Sequence, residues 1–327
     1  MDNISIIIPT YNRKILLSET LDNILKQSLP ASEIIIVDDH STDGTLDFLK
    51  SRYNGKVIPI INKGKGPGAA RNKGLEVATG KYIKFFDSDD LMTNNTLEVQ
   101  YKALISSGKG FIYSPYFYAA FHNEKGWEQT NDPILNYFPF NESKTLHYWM
   151  AVKNLFITIP GMLFKRELLE EVGPWREDVT ASEDWDYLWR LSLVEPYPAH
   201  TNACAFLYRV HGNQTTESNF SNVQRDMDKV NVMEDILNNA IKDKQISGKE
   251  RKALENKLFQ LYRTHKGTNE ELELRFEKYN TFSNKLYWQI FRMDQKLGRV
   301  KTGTNWQPCH GPLVSNPKFG EYMKMIE

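Results

Sequence analysis

Apolar and polar positions along the first hundred residues alternate between two periods. Residues 4–8 form a short β-branched run that Pro9 ends, and Leu17, Leu21, Ile24 and Leu25 then recur at helical spacing across 15–25. A second apolar run, 34–37, stops at the acidic pair Asp38-Asp39, and Ser41-Thr42-Asp43-Gly44 reads as a turn and cap before a helix over 45–49. The same alternation predicts a strand at 57–61, a helix at 69–77 and a strand at 82–86. Strands separated by helices of this length predict an α/β fold with a doubly wound, mostly parallel, right-handed sheet. Their continuous apolar character fits strands covered on both faces.

Periodicity weakens after residue 110. Phe111, Tyr113, Tyr116, Phe117 and Tyr118 suggest another strand followed by loops, and a helix is expected at 185–193 behind Ser182-Glu183-Asp184. From about 220 the pattern becomes helical and charged, with no proline until Pro308. The expected division is a Rossmann-like domain over 1–218 and a basic, mainly helical extension over 219–327.

Composition refines this picture in one respect. The 327 residues carry 41 Lys+Arg and 41 Asp+Glu, but residues 1–219 have a net charge of −5 and residues 220–327 a net of +5. Within the extension, residues 285–301 hold five positive charges and one negative, with Leu286, Ile290, Met293 and Leu297 on one helical face. Such a helix suits an anionic membrane surface. Packing against the N-terminal domain with solvated lysines is the competing reading. Overall neutrality argues against nucleic acid. A mean hydropathy of −0.53 and no run of about 18 apolar residues argue against a membrane span. The opening residues lack the look of a secretory signal. Cys204 and Cys309 are too few for a disulfide framework. A cytoplasmic location, or a peripheral one at the inner face of the membrane, is expected.

The candidate chemistry falls at the carboxyl ends of the predicted strands, where doubly wound sheets bind ligands. Pro9-Thr10-Tyr11-Asn12-Arg13 follows the first strand, Asp38-Asp39 the second and Asp87-Ser88-Asp89-Asp90 the fourth. Converging carboxylates repel one another unless a positive group lies between them, and a divalent cation with oxygen ligands meets that need. The stretch from Gly64 to Asn72 lacks dinucleotide-fingerprint spacing and is interrupted by Pro67. It reads as a flexible loop leading into a helix, with Arg71 placed to reach a diphosphate or a neighbouring carboxylate.

The order IIIPTYNR, VDDHSTDGT and GPGAARNKGLEVATGKYIKFFDSDD resembles a family 2 glycosyltransferase of the GT-A fold. Ala181-Ser182-Glu183-Asp184-Trp185-Asp186 is similar to that family's acidic motif, and Tyr208-Arg209-Val210-His211 to its later Y-R-x-H element. The resemblance spans about 1–215. It implies a nucleotide-sugar part over 1–105 and an acceptor part over 106–218. Pro9, Thr10, Tyr11 and Arg13 would border the base and ribose, Asp39 would bond the base, and Asp87 with Ser88 would sit by the ribose. Arg71 would position the diphosphate. Asp89 would ligate Mn²⁺ or Mg²⁺, with His211 as second ligand or phosphate contact. Asp184 would be the general base and Glu183 its acceptor-binding neighbour. The 160–166 stretch, with Gly161 and Met162, would line the acceptor pocket, and Trp185, more than Trp149 or Trp175, would offer a face to a sugar ring.

These residue types suit the reaction. A sugar leaving a nucleoside diphosphate passes through an oxocarbenium-like state, and charge grows on the leaving phosphate. A metal and Arg71 can stabilise that charge, and a positioned carboxylate can deprotonate the attacking hydroxyl. A single displacement inverts the anomeric centre. The expected function is therefore an inverting transfer, with a UDP-sugar as the favoured donor and a glycan or lipid-linked glycan as acceptor. A nucleotidyltransferase on a similar sheet and a non-catalytic carbohydrate-binding module are the alternatives.

Overall fold

The computed structural model describes residues 3–122, 126–129, 144–153, 155, 157–179, 181–203, 205–211, 222–242, 245–267, 269–286, 289 and 293. The chain divides into two compact units, one comprising 1–143 and 157–219 with 310–327, the other 144–156 with 220–309.

The first unit is built on a seven-stranded sheet. In chain order its N-terminal half runs β1 (Ile4–Thr10), α1 (Lys14–Ile24), β2 (Glu33–Asp38), α2 (Thr45–Arg52), β3 (Ile58–Ile61), α3 (Gly66–Val77) and β4 (Tyr82–Phe85). Then follow β5 (Leu91–Met92), α4 (Thr96–Ser107), β6 (Phe111–Tyr113), β7 (Tyr116–His122) and β8 (Gly126–Gln129). After α5 (Leu146–Lys153) of the other unit come β9 (Met162–Lys165), α6 (Arg166–Val172), α7 (Glu183–Val194), β10 (Ala199–His200) and β11 (Phe206–Val210). The large sheet has the order β10-β6-β9-β4-β1-β2-β3, and a smaller one the order β5-β11-β7-β8.

The central strand shows why the arrangement forms. Ile6, Ile7 and Ile8 are wholly buried, because β1 is flanked by β2 and β4 and covered on both faces. Each such side chain contributes about 2 kcal/mol of transfer free energy. The parallel register sets Thr10 beside Asp38 at the strand ends. The expected mostly parallel sheet is present, and one of its strands is antiparallel. β9 runs antiparallel between β4 and β6.

The predicted loop over 64–72 is shorter than expected, because α3 begins at Gly66 with Pro67 in its first turn. Proline is tolerated there, where its missing N–H would have no helical partner. Gly74 lets this helix lie on β1, since a Cβ at that position would fall 2.2 Å from Ile7 Cγ2. The aromatic run that suggested one strand is broken at Ser114-Pro115 into β6 and β7, which enter different sheets. A buried lysine ties the layers together: Lys84 Nζ donates to Gln100 Oε1, Pro160 O and Met162 O at 3.0, 2.8 and 3.1 Å.

The second unit comprises α5 and the later helices α8 (Asn222–Lys242), α9 (Gly248–His265) and α10 (Glu270–Phe276). A capping box of Ser247 and Glu250 opens α9. His147 of α5 lies 3.4 Å from Glu250, and Lys257 Nζ donates to Met150 O at 2.8 Å. Residues 144–156 therefore belong with this unit, although the sequence reading assigned them to the N-terminal domain. Of the basic stretch 285–301, only 285, 286, 289 and 293 fall within the described residues. No helix among the described residues is long and apolar enough to cross a membrane.

Candidate active site

The loops after β1 and β2 are knitted together at the carboxyl edge of the sheet. Asn12 N donates to Ser41 Oγ at 2.8 Å, and Asn12 Oδ1 accepts from Thr42 N at 2.7 Å. Asn12 and His40 take left-handed backbone conformations, with φ of 50° and 65°. Asp39 accepts from Asn62 Nδ2 at 2.7 Å and from Gly66 N, at the start of α3, at 2.9 Å. Both oxygens have lone pairs left for a ligand donor. Thr10 is buried and Tyr11 is 44% exposed. Thr10 Oγ1 and Asp38 Oδ1 have no hydrogen-bond partner among the described residues.

Beyond β4, Asp87-Ser88-Asp89-Asp90 makes a turn fixed from the far side by Arg209 of β11. That buried guanidinium pairs with Glu19, donates to the Asp89 carbonyl, and reaches Leu16 O at 3.1 Å and Thr20 Oγ1 at 3.0 Å. The Arg209 N–H donates to Asp90 Oδ1 at 3.0 Å. Burial, reinforced by Asp87, pushes the Asp90 carboxyl well above the usual range. Ser88 is buried, and its carbonyl accepts from Thr20. The Y-R-x-H element is legible in the sequence, but nothing local to it gives Arg209 a role. Its partners lie more than a hundred residues away.

His211, one residue past β11, faces Asp89 Oδ2 at 3.0 Å. Arg13 pairs with the same Asp89 oxygen, and its Nη1 stands 3.3 Å from His211 Nε2. Burial first, then Arg13 and Arg209, lower His211 to about 4, so its imidazole is neutral at neutral pH. Of this pair the carboxylate is the ligand suited to Mn²⁺ or Mg²⁺, and the neutral imidazole adds a nitrogen donor that a hard cation such as Mg²⁺ accepts less readily. No three His, Cys, Asp or Glu residues converge on a metal position among the described residues. The pair fits an ion that draws its remaining ligands from a bound diphosphate and water, and Arg13 now supplies the positive charge there.

The second half of the site is the start of α7. Glu183 is buried and accepts from Arg71 Nη1 at 3.0 Å, while Arg71 Nη2 lies 3.6 Å from Asp87. Arg71 thus links the turn after β4 to the acidic start of α7, taking the neighbouring-carboxylate option of the sequence reading. Asp184 is half-buried, and its Oδ1 accepts from the Trp185 N–H at 2.7 Å. Burial and the adjacent Glu183 push Asp184 up to about 7, against the opposing pull of Arg71. A carboxylate tuned near neutrality is suited to general-base work.

The expected acceptor residues are placed differently. Gly161 and Met162 are buried in the core, where the Gly161 carbonyl accepts from Gln100 Nε2 at 2.8 Å. Trp185 is also buried, stacked on Trp189 with ring centroids 5.7 Å apart. These three therefore line no open surface in this structure.

A mostly parallel sheet that gathers aspartates at its strand ends, beside a helix headed by two carboxylates, is the GT-A architecture of sugar transferases. The family model for glycosyl transferase family 2 matches residues 5–173, and the chain belongs to that family. Two Escherichia coli relatives, WfaP and WfgD, are each named UDP-Glc:alpha-D-GlcNAc-diphosphoundecaprenol beta-1,3-glucosyltransferase. WfaP is 30% identical over 69% of this chain and 84% of its own length, WfgD 28% identical over 73% and 88%. Among solved structures, S. aureus TarS 1–349 in complex with UDP-GlcNAc superposes with a TM-score of 0.60 at 18% identity, covering 90% of this chain and 92% of that one. Mannosyltransferase PcManGT from Pyrobaculum calidifontis, in complex with GDP-Man and Mn²⁺, gives 0.53 at 17% identity, over 92% and 88%. The protein is a glycosyltransferase with a GT-A fold.

Proposed function

We propose that the enzyme transfers a sugar, with inversion, from a UDP-linked donor to a hydroxyl of a saccharide carried on a lipid diphosphate. The observation that carries this reading is the position of Asp184. It is a carboxyl held near neutrality at the head of α7, joined through Glu183 and Arg71 to Asp87 at the donor edge of the sheet. The relatives named for UDP-Glc and a diphosphoundecaprenol-linked GlcNAc supply the substrate class.

In this reading, Asp39 and Asn62 receive the base, Thr10 and Tyr11 border it, and Asp87 takes the ribose. Asp89 and His211 would hold Mn²⁺ or Mg²⁺, whose Lewis acidity stabilises the leaving diphosphate. Asp184 accepts the proton of the acceptor hydroxyl as that oxygen attacks the anomeric carbon from the face opposite the diphosphate. Glu183 orients the acceptor while remaining paired to Arg71. One carboxylate acting once gives a product of inverted anomeric configuration. A lipid-borne acceptor and the five positive charges of 285–301 support a peripheral position at the inner face of the membrane, with a cytoplasmic active site.

The test is a donor panel of UDP-Glc, UDP-GlcNAc, GDP-Man and a dTDP-sugar, with Mn²⁺ and a GlcNAc-diphospholipid acceptor. UDP-sugars alone should yield product, and α-linked donors should give a β-linkage. Turnover confined to GDP- or dTDP-sugars, or an α-linked product, would overturn the reading.

A further inference from the structure

Arg71 is held by more than its carboxylates. Its guanidinium lies 4.6 Å over the ring of Trp175. Trp175 stacks on Tyr187, with ring centroids 3.8 Å apart and planes 6° from parallel, and the Arg190 guanidinium lies 4.9 Å over Tyr187. The two rings leave no space between them for a cation, so the arginines cap opposite ends of one column. Its outer end is anchored where Arg190 meets Asp186 at 2.8 Å and Val172 O at 2.9 Å. Its inner end is the Arg71 group that faces Glu183 and Asp87.

The column depends on a docked loop. Asn72 of α3 donates to the Trp175 carbonyl at 3.0 Å and accepts the Trp175 N–H at 2.8 Å. Gly68 admits the following backbone, since a Cβ there would fall 2.1 Å from the Arg176 carbonyl oxygen. Phe85 meets the Trp175 ring edge-on at 5.3 Å. With Trp175 only 2% exposed, its contact with Arg71 is shielded from water, the setting in which cation–π attraction is strongest.

We infer that Trp175 is a positioning residue for the transfer reaction, fixing the guanidinium of Arg71 between Glu183 and Asp87 so that its charge stays beside Asp184. The inference rests on the reading of Asp184 as base. Arg71 has rotatable bonds enough to swing away from Glu183, and the flat indole removes that freedom. The charged groups around Asp184 are Glu183 and Asp87, which oppose its ionisation, and Arg71, which favours it. If Arg71 is freed, Asp184 becomes harder to ionise. The base is then competent only at higher pH.

The experiment measures kcat against pH, donor KM and thermal stability for the wild type, Trp175→Phe and Trp175→Leu. Trp175→Phe keeps a ring face, and its acid limb should stay within about 0.3 pH unit of wild type. Trp175→Leu should move the acid limb up by about one unit, a roughly tenfold loss of kcat at pH 6 that higher pH largely restores. Donor KM should change less than about threefold. A lower Tm with an unmoved limb would mean a purely structural role and would overturn the inference. Should Trp175→Leu not fold, fluorinated tryptophans placed at 175 preserve shape while draining the ring face of negative charge. The limb should then climb with each added fluorine, and a static limb again overturns the inference. An Asp184→Asn variant separates the two claims. If it retains full activity the base assignment fails, whereas if it is inactive and the Trp175 series is flat, only the role of Trp175 fails.

Discussion

His211 Nε2 lies 3.0 Å from Asp89 Oδ2, joining two residues that stand 122 positions apart in the chain. Arg13 presses on the same carboxylate oxygen. An ion entering between His211 and Asp89 has to displace that guanidinium or accept its repulsion.

Mn²⁺ titrated alone into Arg13→Met should therefore bind about tenfold more tightly than to wild type, because a competing positive charge has gone. With UDP present, His211→Ala should weaken Mn²⁺ binding at least tenfold. Calorimetry checks both. Equal Mn²⁺ affinity in wild type and Arg13→Met would refute the competition.

The ionisation of Asp184 has a consequence for stability as well as rate. Its folded value of about 7 stands above the ordinary 3.8, so between those values the folded chain retains a proton that the unfolded chain releases. That contribution is complete below pH 4 and is lost as pH rises through 7. Asp184→Asn removes the titration. Its Tm relative to wild type should rise between pH 5 and pH 8, and a pH-independent difference would contradict the perturbed carboxyl. The same variant should lose about a thousandfold in kcat while still binding UDP.

Lys84 offers a test of the layer contacts. Lys84→Met would leave Gln100 Oε1 and the carbonyls of Pro160 and Met162 without their donor. Buried acceptors left without a partner cost about 1–3 kcal/mol each when nothing relaxes. Denaturant unfolding should show a loss of at least about 1 kcal/mol, with no change in the pH midpoint of kcat.

Gly74→Ala tests the approach of α3 to the central strand. The added methyl would meet Ile7 Cγ2 at 2.2 Å, in a core with no room to yield. Overpacking of this kind costs about 1–3 kcal/mol, and Tm should fall by roughly 5 °C. An unchanged Tm would show that the helix can shift outward freely.

How much of this was legible beforehand depended on whether the deciding contacts were local. The aspartates after β2 and β4 could be placed because each directly follows an apolar run, and a strand end is a local event. The start of α3 falls three residues before the expected 69 because the glycine-rich stretch around Pro67 reads as a flexible loop, although the first helical turn accommodates the proline. β9 carried no signal of its own. Three buried apolar residues in a four-residue strand inserted antiparallel look like any short apolar stretch. Trp175 and Arg209 were invisible as organisers for another reason. Arg71 lies 104 residues from Trp175, and Glu19 lies 190 from Arg209, so no periodicity relates either pair. Gly161, Met162 and Trp185 were assigned to an acceptor pocket from motif position alone, and burial places them in the core.

The membership of α5 in the second unit has a consequence for how the chain comes into being. During synthesis α5 emerges roughly a hundred residues ahead of α9, the helix that receives the Met150 carbonyl and His147. At about 5–20 residues per second, that is several seconds during which Leu146, Met150 and Ala151, all buried in the finished protein, have no α9 to cover them. This piece of the chain's first half therefore settles only after the ribosome has delivered α9, and a chain cut short near residue 219 would leave those three apolar side chains without that cover.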